Sequence, residues 1–160
     1  LALVQLFAAW PLKLLAEIYL YIMRGVPLLV LLFAMYYMLP YAGIDVNPTL
    51  GGMVVIALYF SAFMSEVFRG AVLSVAKGQW DAARALGMHG RRLMLLVIAP
   101  QALRLAGPPF INTCIMLVKG TSLVSIVGLL EVTMAGRQIV ERTLAPFQIF
   151  AGVAAIYFVI

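Results

Sequence analysis

Long, continuously apolar runs separated by short polar links make up most of this chain. β-Barrel strands would alternate apolar and polar residues, whereas these runs stay apolar on successive positions, so they predict membrane helices. Leu1 to Ala9 reads as the tail of a first span. Trp10, Pro11 and Lys13 then predict a loop or interfacial turn. A second span is expected from about Ile18 to Leu39, with Arg24 near its start and Pro40 at its end. Tyr41 to Gly52, YAGIDVNPTLGG, is a polar link with turn residues. A third span runs from about Leu50 to Phe68 and ends at Glu66 and Arg69; a polar section follows to about Arg104. A fourth, opened by Pro108 and Pro109, covers about Leu105 to Leu130. Glu131 to Ala145 is a link containing Gly136, with Pro146 behind it, and a fifth span begins near Phe147. Runs of about 20 residues match an apolar slab of about 30 Å.

The expected fold is therefore all-α: one polytopic transmembrane helical bundle over residues 1–160, of about five spans, the first and last truncated. Leu1 stands where a methionine would begin a chain, and the apolar run is still open at Ile160, so a fragment cut within membrane segments is expected.

Composition strengthens this picture. Of the 160 residues 65% are hydrophobic and 11% charged, against about half and a quarter in a soluble domain, so lipid must cover the apolar excess. The net charge of +5 would suit a nucleic-acid binder, but the charges flank apolar runs and no aromatic-interleaved basic surface is present. The positive-inside rule accounts for them better. Trp10 to Gly25 carries Lys13 and Arg24 against Glu17, net +1, and Tyr41 to Gly52 carries only Asp45. Glu66 to Arg104 carries Arg69, Lys77, Arg84, Arg91, Arg92 and Arg104 against Glu66 and Asp81, net +4. Glu131 to Ala145 is neutral. Positive and non-positive links alternate, which puts the 66–104 section in the cytoplasm. The single Cys114 excludes an internal disulfide and reads as a packed, inert thiol.

One polar stretch, KGQWDAARALGMHGRRL from Lys77 to Leu93, is too short to span anything. On a helix, Trp80, Ala83 and Gly87 share a face at steps of three and four, with Ala82 and Leu86 alongside. Asp81 is expected in the first turn, where a carboxylate suits the helix dipole. A face of small residues permits close approach of another protein surface, while an interfacial helix lying on lipid fits about equally well. The following LMLLVIAP returns toward the membrane, and Pro100 is expected to break it.

Here the sequence resembles a known family. Asp81-Ala82-Ala83, three residues, Gly87, nine residues, Val97, one residue and Ala99-Pro100 resemble the EAA loop of ABC importer membrane subunits. That loop reads Glu-Ala-Ala, Gly, Ile and Leu-Pro at the same spacing. The stretch YIMRGVPLLVLLFAMYYMLP (Tyr21 to Pro40) is similar to the second span of the polar amino acid permeases. APQALRLAGPPFIN and LVKGTSLVSIVGLLEVT are similar to their fourth. The resemblance covers nearly the whole chain and implies the permease subunit of a type I ABC importer for polar amino acids, multi-pass in a bacterial inner membrane. It further implies a cytoplasmic ATP-binding subunit, a second permease subunit in a homo- or heterodimer, and an extracytoplasmic substrate-binding protein. The loop at 74–100 would be the cytoplasmic coupling element, with Gly78, Trp80, Asp81, Ala82, Ala83, Gly87 and Pro100 meeting the ATPase. Consistently, nothing matches the phosphate-cradling Gly-x-x-x-x-Gly-Lys-Ser/Thr pattern, so energy would come from a partner.

Candidate transport-path residues come from polar positions inside the fourth span. Lys119 is costly in hydrocarbon unless paired, hydrated or able to snorkel, and such residues face a bundle interior by default. Asn112 lies two turns earlier on about the same face, and Thr121 and Ser122 follow Gly120. One reading has Lys119 meeting a substrate carboxylate, with Thr121 and Ser122 orienting the small molecule. The other has Lys119 snorkelling or pairing with a neighbouring helix, while the hydroxyls bond back to their own carbonyls. Many permeases of the family carry aspartate at the position of Gly120, and its absence here argues against a cationic substrate. Glu66 and Arg69 are spaced for a local ion pair. No catalytic constellation, metal cluster or cofactor motif is expected. An ion-coupled carrier remains the alternative class, disfavoured because Glu66 is the one acid near a span interior; an ABC permease for another small solute is the alternative within the class.

Overall fold

The computed structural model describes residues 1–159, with no β-strand among them. The helices are α1 (Ala2–Phe7), α2 (Trp10–Gly25), α3 (Leu28–Phe33), α4 (Leu39–Tyr41), α5 (Pro48–Leu73), α6 (Lys77–Ala85), α7 (Gly90–Leu93), α8 (Ala99–Gly120), α9 (Val132–Thr143) and α10 (Pro146–Val159). Widened π turns at Ala34–Met38 and Met94–Ile98 join α3 to α4 and α7 to α8, and a 3₁₀ segment, Thr121–Val127, continues α8. The chain divides into two compact units: Leu1–Met23 with Ser61–Thr113, and Arg24–Phe60 with Cys114–Ile160.

The first unit contains α1, most of α2, the second half of α5, α6, α7 and the first part of α8. Its core is Ala71, Val75, Ala83, Leu93, Ile98, Ala102 and Ala106, with Trp80, Met88 and Phe68 packed against them. The alanines let helices approach closely, so contact comes from backbone and Cβ atoms rather than long side chains. A polar cluster ties α1 to α5: Arg69 donates to both oxygens of Glu66 (2.9 and 2.7 Å), and Gln5 donates to Glu66 Oε1 (3.2 Å). The expected Glu66–Arg69 pair is thus present, with Gln5 as an added partner.

The second unit centres on Leu28, Leu32, Phe60, Val124 and Val127. Two glycines set its close approaches. A Cβ on Gly120 would meet the Phe60 ring at 3.0 Å, and one on Gly136 would meet Val153 Cγ2 at 2.7 Å. Asn47 opens α5, its Oδ1 accepting from the Thr49 and Leu50 N–H groups (3.0 and 3.2 Å), with Pro48 at the first helical position.

Several expected boundaries are corrected. The turn expected at Trp10–Lys13 is the first turn of α2. The span expected from Ile18 to Leu39 is interrupted after Gly25, and the chain bends by 100° between Trp10–Gly25 and Leu28–Tyr41. Pro27 explains the break, since it lacks an N–H and disfavours helical geometry at Val26. Pro100 does not end a helix: Gly90–Val127 forms one helical run of 38 residues. The π turn ends two residues before Pro100, as the other ends two residues before Pro40. A widened turn takes the carbonyl four residues back out of the ring's way. Pro108 and Pro109 do not open the fourth span but lie inside α8. The link expected at Glu131–Ala145 is mostly the helix α9.

Among the described residues, two helical runs, Pro48–Leu73 and Gly90–Val127, are long and apolar enough to cross a membrane, or three if the bent pair counts as one. The 38-residue run would be about 57 Å long at 1.5 Å per residue. That exceeds the apolar slab, so part of it must stand outside hydrocarbon. Its first turn carries Arg91 and Arg92.

Candidate functional site

The Lys77–Leu93 stretch folds as α6, a glycine-closed turn and α7. Gly87 closes α6 in the left-handed region, at φ 76°. The Met88 N–H reaches Ala83 O at 3.0 Å and the Gly87 N–H reaches Arg84 O at 2.9 Å. These bonds satisfy carbonyls that the helix end would orphan, and a residue with a Cβ pays for that backbone conformation. A Cβ on Gly87 would meet nothing within 4 Å, so backbone conformation rather than crowding demands glycine here. His89 then turns the chain, its Nδ1 lying 2.8 Å from Gly87 O.

This geometry corrects the sequence picture of one shared face. Gly87 lies past the helix end and cannot share a helical face with Trp80 and Ala83. Ala83 is only 3% exposed, buried in the core of its own unit, and Trp80 is half-buried beside it. The face read as open to a partner is the face turned inward. Gly78, Gln79, Asp81, Ala82 and Leu86 are exposed, Leu86 at 81%. Asp81 is also not in the first turn, because α6 starts at Lys77. It instead lies 3.6 Å from Arg84, whose guanidinium sits 6.0 Å over the Trp80 ring. Trp80, Arg84, Met88, His89 and Leu93 line a small cleft of about 180 Å³ with Phe7. Pro100 is exposed in the first turn of α8.

Of the second set of candidates, Lys119 lies in the last turn of α8, Thr121 and Ser122 just beyond it, and Asn112 two turns earlier. Lys119 and Asn112 are exposed, and Thr121 and Ser122 are half-buried. The helix tightens to 3₁₀ geometry immediately after Gly120. Thr121 Oγ1 donates to Val118 O (2.6 Å), Ser122 Oγ to Lys119 O (2.7 Å) and Ser125 Oγ to Ser122 O (2.7 Å). Each hydroxyl therefore spends its one proton on a carbonyl three residues back and can offer a ligand only lone pairs. Gly128, at φ 82°, closes this segment as Gly87 closes α6, with Leu129 N–H to Val124 O at 3.1 Å.

One polar group escaped the sequence reading. Glu131 caps α9, accepting from the Thr133 N–H (2.9 Å) and the Met134 N–H (2.7 Å), and Tyr157 donates to its Oε2 at 2.7 Å. Glutamate is not a favoured cap residue, and Tyr157 is 26 positions away, so neither local signal nor spacing pointed to the pair.

A family model described as "Binding-protein-dependent transport system inner membrane component" matches residues 2–160. The chain belongs to that family. It is similar to the "Probable amino-acid ABC transporter permease protein YckA" of Bacillus subtilis, 36% identical over 94% of this chain and 65% of that protein. It is also similar to the "L-cystine transport system permease protein TcyB" of Bacillus subtilis, 36% identical over 99% of this chain and 68% of that one. Against the "Glutamine transport system permease protein GlnP" of Escherichia coli K12 the identity is 34%, over 96% and 71%. The chain thus spans about two thirds of the length of these relatives. Among solved structures, "Crystal structure of an amino acid ABC transporter with histidines" superposes with a TM-score of 0.90 at 33% identity, over 99% of this chain and 74% of that one. The family is one of inner-membrane components, in keeping with the two long apolar helical runs.

Proposed function

We propose that this chain is the permease subunit of an ATP-driven importer of polar amino acids, energised by a separate cytoplasmic ATP-binding subunit that grips α6. A second permease subunit and an extracytoplasmic substrate-binding protein complete the assembly. The observation that carries the reading is the build of α6. One side, Ala83 and Trp80, is sunk in the same core as Leu93, Ile98 and Ala102. The other offers Gly78, Asp81, Ala82 and Leu86 to solvent. At 9 residues α6 is too short to be a span, and its buried side seats it too firmly to be a loose loop. A push on its outer side is passed to the π turn and α8 through packed side chains, which suits rigid-body coupling. The relatives named as amino-acid, cystine and glutamine permeases support the substrate class.

On the transport path, Lys119 supplies a cation for the substrate carboxylate. The lone pairs of Thr121 and Ser122, their protons already committed, accept from the substrate ammonium. The two charged ends of a zwitterion would thus meet unlike partners within residues 119–122. Asn112, two turns earlier on α8, is a separate candidate for the route.

The reading is tested by reconstituting the full-length parent in lipid with its ATPase and binding protein and measuring ATP hydrolysis across an amino acid panel. Stimulation by a polar amino acid is expected. Silence across the panel with an intact complex would move the substrate elsewhere, and failure of the ATPase to associate would remove the coupling role of α6.

A further inference from the structure

Helix α2 carries three separate stripes. Ala16 and Leu20 are buried, with Tyr19 and Met23 half-buried beside them, so this stripe faces the protein's own fold. Trp10, Lys13, Glu17, Tyr21 and Arg24, at steps of three and four, form a second. It includes the Lys13–Glu17 pair at 3.8 Å and the highly exposed rings of Trp10 and Tyr21. Leu14, Ile18 and Ile22, with Leu15, form a third, fully apolar yet exposed.

From this we infer that α2 lies along the lipid–water interface of the bilayer, its Leu14–Ile18–Ile22 stripe in the acyl region and its Lys13–Glu17–Arg24 stripe among the headgroups. The charged stripe runs nearly the whole helix. Were α2 to descend into the membrane as the first half of a span, it would draw Glu17 and Arg24 into hydrocarbon, where charged side chains are costly. Lying flat puts both at one shallow depth. The aromatic residues on the charged stripe, Trp10 and Tyr21, are the types whose rings prefer headgroup level. The helix ends at Gly25 and the chain bends before α3 begins, so nothing forces α2 to share the direction of the next segment. An apolar stripe bordered by charge and aromatics is the pattern of a surface-lying helix; a stripe seated on another protein chain would not need that aromatic border.

The test uses the full-length chain in liposomes, with Cys114→Ser and any other cysteine replaced. Nitroxide labels are placed singly at positions 13, 14, 17, 18, 22 and 24, and collision with oxygen is compared with collision with a water-soluble nickel chelate. The expected oxygen-to-nickel ratio rises and falls with the helical period, high and nearly equal at 14, 18 and 22, and several-fold lower at 13, 17 and 24. A ratio climbing steadily from 14 to 22 would mean a descending helix and overturn the inference. Labels at 14, 18 and 22 shielded from both reagents would mean a protein partner on the stripe, and would overturn it too. A second measurement needs no label: with Trp80→Phe and other tryptophans replaced, Trp10 fluorescence is expected to be quenched more by lipids brominated near the headgroup than near the chain end. The reverse order would also overturn it.

Discussion

Two glycine-closed segments of this molecule, Lys77–Met88 and Thr121–Leu129, end in the same backbone geometry but treat their remaining polar groups in opposite ways. In the first, α6 begins at Lys77, and Ala76 at its cap position offers the early N–H groups no side-chain acceptor. Its charged residues are exposed. In the second, every hydroxyl bonds back to the helix. Water serves the first segment's orphan groups at no structural cost, whereas a segment in apolar surroundings must satisfy itself. The first is therefore free to spend its outward residues on a partner, while the second has only hydroxyl lone pairs to offer, with Lys119 two residues before it.

The largest expected effect separates the neighbours Ala82 and Ala83. Ala83→Asp buries a carboxylate in the alanine-rich core and should cost several kcal/mol, read as loss of folded protein in detergent thermal melts. Ala82→Trp should leave the melt within about 0.5 kcal/mol yet abolish capture of the ATPase. Equal behaviour of the two would erase the inner and outer sides assigned to α6.

Next comes Lys119→Met, which should cut transport at least tenfold while the subunits still co-purify. A variant that loses assembly and transport together would make Lys119 structural and leave the second segment without a cation beside it.

At the shared closure, Gly87→Val should cost about 1–2 kcal/mol from backbone strain and weaken ATPase coupling, whereas Gly87→Asn should cost less, because asparagine tolerates the left-handed region. Bulk is not the issue, since the Cβ position is open. If asparagine and valine are equally damaging, the glycine is needed for contact and not for closure.

The smallest effect is expected from Asp81→Ala. Its exposed pairing with Arg84 should contribute less than about 1 kcal/mol, so melts should be unchanged. A drop in coupled ATP hydrolysis without a stability change would then assign Asp81 to the partner surface.

Much of this was readable along the chain. Continuous apolar runs fixed an all-α membrane fold, because hydrocarbon leaves no other way to satisfy the backbone. The residue order Asp81 to Pro100 carried the family resemblance, and the three-residue spacing of Glu66 and Arg69 carried their pairing. These are short-range properties of composition and spacing. Tertiary structure decided which side of α6 is inside, because Trp80–Ala83 and Gly78–Ala82 are both small, plausible docking faces until Ala71, Ile98 and Ala102 cover one of them. It also decided that Pro100 sits in a continuing helix behind a widened turn, while Pro27 follows a break. The Glu131–Tyr157 bond likewise had no local signal. Side-chain periodicity says which residues share a face; only packing against distant segments says which way that face looks.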